Sequence, residues 1–159
     1  MSKSLKRVTQ ALRDAGCNSQ PVEVGQATTA QMAADLVGCA LDQIAKSIIF
    51  RGEMSGEAVL FITAGGNQVD AGRASTLAGE PLGKADAGLI RAQTGFAIGG
   101  VSPVGHLTPP RAFFDPRLGD FDQVWAAAGT PRHVFGIAPG ELLRISGAQR
   151  ASFTTAPAP

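Results

Sequence analysis

Apolar positions along the chain change spacing several times, and each change marks a new element. In "SKSLKRVTQALRDAG", Leu5, Val8 and Leu12 recur every three or four residues, and Gly16 follows them. That spacing keeps one face of a 3.6-residue helix apolar and predicts an amphipathic helix stopped by the glycine. After the extended "QPVEVG", the segment "TTAQMAADLVG" opens on a threonine cap and gathers Met32, Ala33, Leu36 and Val37 on one side before Gly38. The period then shortens. "AKSIIFRG" and "EAVLFITAGG" are β-branched and aromatic runs joined by a polar, glycine-containing turn, which predicts two neighbouring strands in a hairpin.

Beyond the hairpin, "NQVDAGRASTLAGE" and "KADAGLIRAQTG" predict short helices ending at Gly79 and Gly95; Ala87, Leu89, Ile90 and Ala92 give the second its apolar surface. "FAIGGVSPVGH" begins as a strand and dissolves into glycines and a proline. "RAFFD" then predicts a strand, "FDQVWAAAG" a helix ended by Gly129, "HVFGI" a strand, and "PGELLRISG" a helix with proline at its start. The acidic residues Asp70, Asp86, Asp115, Asp120 and Asp122 fall near turns and helix starts, where capping is their ordinary role. Strands and short helices in irregular order predict an α+β fold in a single domain, residues 1–153. Its centre would be a mixed, largely antiparallel sheet or partial barrel flanked by short helices. "TTAPAP", residues 154–159, is expected to be a flexible tail. No strand-to-helix turn carries a dinucleotide or phosphate-loop fingerprint, which disfavours a doubly wound parallel fold.

Composition narrows the chemistry. With 44% hydrophobic and 17% charged residues the chain of 159 can bury a core and is not of the disordered class. A net charge of +1 gives no global attraction to nucleic acid or membrane, so any nucleic-acid contact must be local. Cys17 and Cys39 form neither a Cys-x-x-Cys pair nor a zinc-type set with the two histidines, so neither a disulfide scaffold nor a metal is expected. The basic N-terminus is followed by no signal-like apolar run, and no stretch approaches membrane-spanning length; a cytoplasmic protein with no membrane partner is the expectation.

Three features stand out. In "QIAKSIIF", Lys46 shares a strand face with Ile44, Ile48 and Phe50, where an apolar residue is due. Its plain reading is an edge lysine reaching water; the sharper one is a fixed cation on a pocket wall. The loop "GGVSPVGH" offers backbone N–H groups at Gly99 and Gly100, stiffened by Pro103. Its plain reading is a tight turn. Ser102 does not complete a Gly-x-Ser-x-Gly elbow, and Pro103 occupies the position whose N–H would complete an oxyanion hole, which weighs against a serine esterase. In "RHVFGI", His133 shares a face with Phe135 and Ile137 and reads first as a hydrogen-bonded core residue, whereas His106 reads as solvated.

The ordered landmarks "QIAKSIIF", "VLFITAGGNQVD", "TGFAIGGVSPVGH" and "HVFGIAPGELL" resemble the YbaK-like aminoacyl-tRNA editing domains, freestanding relatives of the insertion domain of bacterial prolyl-tRNA synthetases. The resemblance runs from the second helix to "PGELLRISG". It implies hydrolysis of the ester joining a wrong amino acid to transfer RNA, most often the proline acceptor, with no cofactor. It places Lys46 at the active site, makes Gly99 to Pro103 similar to the family's substrate-positioning loop, and assigns His133 to amino-acid selection. Catalytic candidates are therefore Lys46, Gly99 and Gly100; substrate-binding candidates are Ile48, Phe50, Ser102, Pro103 and His133. Cysteinyl-specific relatives lack this histidine, so its presence favours alanine or a similarly small residue over cysteine. The implied partners are the aminoacyl-tRNA acceptor end, with Lys84, Arg73 and Arg91 near the cleft, and a synthetase. The competing expectations are a non-catalytic module that binds transfer RNA or a synthetase, and a small-molecule esterase built on Ser102.

Overall fold

Hydrogen bonding sorts the strands into two sheets linked by one backbone bridge and a shared core. The structure is a computed structural model and describes residues 2–155. In chain order the elements are α1 (Lys3–Asp14), β1 (Val22–Glu23), α2 (Ala30–Val37), β2 (Ala45–Gly52), β3 (Ala58–Ala64), α3 (Ala71–Ala78), β4 (Leu82–Lys84), α4 (Ala87–Thr94), β5 (Arg111–Phe114), β6 (Val124–Ala127), β7 (His133–Ile137), α5 (Pro139–Ser146) and β8 (Gln149–Arg150). One sheet has the order β4-β2-β3-β5-β8, the other β1-β7-β6. The pairs β2–β3, β2–β4, β1–β7 and β6–β7 are antiparallel, while β3–β5 and β5–β8 are parallel. The result is a mixed α+β domain in which the sheets do not close into a barrel.

β3 is the centre because both of its faces are covered. All seven of its residues are buried, which explains an apolar run interrupted only by Thr63 where a one-sided strand would alternate. Leu60, Ile62 and Ala64 pack with Leu5, Val8 and Leu12 of α1 and with Phe114, Phe135 and Leu142. Val59 and Phe61 face Ala74 and Ala78 of α3. There Phe61 stacks on Phe113 at 5.3 Å between ring centroids and meets Phe153 edge-on at 5.0 Å. Burying a phenylalanine contributes roughly 1.5–3 kcal/mol, so Phe153 ties the chain's end to the sheet. The strands continue past it: Thr154 bridges Val69, and the Thr155 N–H donates to the Gln68 carbonyl at 2.9 Å. Two residues expected in the flexible tail are thus bonded; the other four, 156–159, lie outside the described residues.

Helix ends follow the capping signals. Ser2, Thr29, Asp70 and Asp86 accept N–H groups of the first turns of α1, α2, α3 and α4, and glycines in left-handed conformation close α2, α3, α4 and α5. Two expectations are overturned. "FDQVWAAAG" contains strand β6, not a helix: Val124 and Ala126 are buried while Trp125 and Ala127 are less so, a period of two, and pairing with β7 outweighs the helical propensity of three alanines. Residues 96–98 form no strand, since the Gly100 N–H turns back to the Ala97 carbonyl at 3.1 Å.

One ion pair pins the hairpin. Glu80 accepts from the backbone of Met54 and Ser55 and from Arg111 at 2.6 Å. The Ser55 backbone bond first, then the Arg111 guanidinium, hold its carboxyl at about 2, well below the usual 4.5. A depressed carboxylate contributes stability that is present above the unfolded value and lost as pH falls through the folded one. Thermal unfolding of wild type should therefore weaken between about pH 4.5 and about pH 2. The variant Glu80→Gln should show a shallower decline over that window; an identical decline would refute this role.

Candidate functional site

The two sheets meet where Ile44, just ahead of β2, bridges Trp125 of β6 in parallel. β4 pairs only with Phe50–Gly52, so residues 45–49 of β2 lack a strand partner on that edge. A cavity of about 330 Å³ occupies this seam. Its walls are the entry to α2 from Ala27 to Ala33, residues 44–49, the loop residues Ile98, Gly99 and Val101, and the β6–β7 turn from Trp125 to Val134. The lining is mostly aliphatic, with Lys46 and His133 as its two titratable side chains. Among the described residues no three His, Cys, Asp or Glu side chains gather into a ligand set.

Lys46 is half-buried on this wall, and its Nζ donates to the Gly65 carbonyl at 3.1 Å. Burial pushes its pKa down from 10.5, and the carboxylates of Asp115 and Asp42 push it partly back. The turn holding that carbonyl is itself wired in place. A Cβ on Gly65 would collide with the Leu41 carbonyl oxygen, so only glycine allows this approach. The Gly66 N–H donates to Asp42 Oδ1 at 2.8 Å. Asp115, 2% exposed, accepts from the Ala64 N–H, the Asn67 amide and the Arg117 N–H. The lysine is therefore a cation directed by a braced turn, and its apolar strand face is the wall of a cleft.

On the loop that lines the same cavity, Gly99 is exposed with φ +92°, a conformation that suits glycine, and its N–H and that of Val101 have no hydrogen-bond partner among the described residues. Gly100 serves a different purpose: its N–H is consumed by Ala97, and its missing side chain lets the loop pack on the 129–131 turn, where a Cβ would lie 2.9 Å from Thr130 Cα. His133 lines the cavity with Nδ1 2.7 Å from Thr130 Oγ1 and Nε2 3.7 Å from Glu23 Oε2. Nδ1 thus shares a hydrogen bond with the Thr130 hydroxyl, while Nε2 stands beyond hydrogen-bond distance of the exposed Glu23 carboxylate.

The structure thus brings together Lys46, Ile48, Gly99 and His133, and leaves other sequence candidates off the wall. Phe50 packs edge-on against Phe61 in the second core. Ser102 is fully buried, its oxygen accepting the Val104 N–H, and Pro103 is buried beside it, so the serine-esterase geometry is absent. His106 is not solvated: Nε2 donates to the Ser102 carbonyl at 2.5 Å, the ring meets Phe96 edge-on, and burial lowers its pKa. Lys84, Arg73 and Arg91 do not line the cavity; Arg73 instead holds Ser152 and Thr154. Sequence reasoning missed Trp125, Thr130 and the alanine-rich entry to α2. The alternation in "VWAA" was the available signal for the first.

The sequence model of the aminoacyl-tRNA editing domain matches residues 24–145, which span every wall of this cavity. The chain belongs to that family. This editing domain is 32% identical over 118 residues to the uncharacterized protein YwhH of Bacillus subtilis (strain 168), covering 74% of each chain. It is 46% identical to a solved structure named "putative trans-editing enzyme for prolyl tRNA synthetase", covering 98% of this chain and 99% of that one with a TM-score of 0.91. The editing domain therefore lines one mostly apolar cavity with both a lysine and a loop whose Gly99 and Val101 N–H groups have no partner among the described residues.

Proposed function

We propose that this editing domain is a cytoplasmic, trans-acting deacylase that removes a small amino acid, alanine foremost, from transfer RNA of the proline acceptor. The observation that supports it most is that Lys46 and Gly99, whose N–H is unpaired among the described residues, line one mostly apolar cavity. Discrimination is needed because one methylene separates substrates by only about 1–3 kcal/mol, so a synthetase alone admits smaller competitors. A second chamber sized for the error removes them.

In the reaction, water attacks the ester carbonyl, the carbonyl oxygen gains negative charge, and the tetrahedral species collapses with release of the ribose oxygen. Lys46 and the Gly99 N–H stabilise that charge in this reading, since apolar walls make each donor worth more than in water. His133, tied through Nδ1 to the Thr130 hydroxyl, shapes the amino-acid end of the chamber. The neighbouring ribose hydroxyl of the substrate then assists the attacking water. Gly100 enters by seating the loop.

The test is a panel of mischarged transfer RNAs incubated with the protein. Alanyl-tRNA(Pro) should be hydrolysed at least about tenfold faster than prolyl-tRNA(Pro). A preference for cysteinyl-tRNA(Pro) would move the substrate, and binding of the panel without hydrolysis would make the protein a regulatory module for transfer RNA or a synthetase.

A further inference from the structure

Trp125 is the largest flat surface in the cavity and no part of the chemistry just described uses it. Its strand neighbour across the seam is Ile44, two residues before Lys46. With strands about 4.8 Å apart and about 3.3 Å of rise per residue, the backbones of Trp125 and Lys46 lie roughly 8 Å apart. The ring is held firmly. It packs with Ala33, Ala34 and Ile44, and its partner in register on β7 is Gly136, where a Cβ would sit 3.1 Å from indole Cη2. Glycine there leaves room for the indole to lie against the strand, while the ring also forms part of the cavity wall.

We infer that Trp125 is the stacking platform for the terminal adenine of the aminoacylated acceptor end. This rests on the proposed deacylase reading and adds a binding residue to it. An ester seated between Lys46 and Gly99 carries its nucleoside on the same ribose, so the base falls within reach of the next wall. Of the wall's two aromatic residues, His133 is tied through Nδ1 to Thr130, and Trp125 offers the larger apolar face. Splayed single-stranded bases are held in this way, by stacking on aromatic side chains.

The chain has one tryptophan and no tyrosine, so its near-ultraviolet emission reports this ring alone. Wild type is titrated with a non-hydrolysable 3′-alanylamino-3′-deoxyadenosine and separately with alaninamide, which lacks the base. The nucleoside analogue should change the indole emission and alaninamide should not. Trp125→Ala should raise KM for the mischarged transfer RNA by roughly 5- to 140-fold with kcat within about threefold, and Trp125→Phe should stay within about threefold on both. Competitive inhibition by the analogue with unchanged emission would overturn the inference while leaving the deacylase intact, as would an unchanged KM in a folded Trp125→Ala. Should that variant fail to fold, the wild-type titration and Trp125→Phe decide. A wild type that neither hydrolyses the panel nor binds the analogue overturns both readings.

Discussion

Lys46→Met is expected to lower single-turnover deacylation by roughly 100-fold or more while leaving thermal stability within about 1 kcal/mol of wild type. Methionine keeps an unbranched stem for the wall and removes only the charge. The lysine's pKa lies below its ordinary 10.5 because burial outweighs the attraction of Asp115 and Asp42. Between the folded and unfolded values the unfolded chain therefore binds more protons, and stability rises with pH across that interval. Below it the ammonium carries its full desolvation cost, which the substitution relieves. Against this stands the lost bond to Gly65, whose carbonyl sits in a half-exposed turn and can take water instead. Asp115 keeps its three N–H donors. A variant that turns over at the wild-type rate removes Lys46 from the mechanism; one that collapses the fold makes it a structural brace.

Gly65→Ala should do the opposite, damaging stability and activity together. The added methyl meets the Leu41 carbonyl oxygen, backbone against backbone, where neither the end of β3 nor the 41–43 turn can move without the other. Overpacking of this kind costs about 1–3 kcal/mol, a fall in Tm of roughly 3–10 °C in a domain of this size. The same displacement moves the carbonyl that directs Lys46 and the Gly66 N–H that holds Asp42. Gly140→Ala, in the first turn of α5 with open space around it, is the control and should be neutral or stabilising by up to about 1 kcal/mol. Equal melting temperatures for the two variants would refute the packing argument.

The fold was legible where local pattern and tertiary demand agree. Leu5, Val8 and Leu12 read as a helix face and pack as one, and the hairpin of β2 and β3 follows from its β-branched runs. Reading failed at "FDQVWAAAG", where alanines favour a helix but the alternation of Val124 and Ala126 with Trp125 and Ala127 serves a sheet. The short strands β1, β4 and β8 are set by their partners and carry no pattern of their own. Within the site, Lys46 was visible because a charge interrupts an apolar face. Phe50 shares that face yet packs away from the cavity, since β4 covers the strand from residue 50 onward and residues 45–49 are left uncovered. Sequence spacing cannot express where a neighbouring strand stops. Nor can it separate Gly99, whose N–H is unclaimed, from Gly100, whose N–H closes a turn and whose bareness admits Thr130.

The cavity belongs to neither sheet alone, because its opposite walls are carried by two layers that share a single backbone bridge at Ile44 and Trp125. Both layers nonetheless share one core, in which Leu5, Val8 and Leu12 of α1 and Leu142 of α5 pack with residues of the two sheets. A one-carbon change at Leu5 or Leu142, deep in that core, would therefore be felt at the seam between the layers without altering any group on the cavity wall.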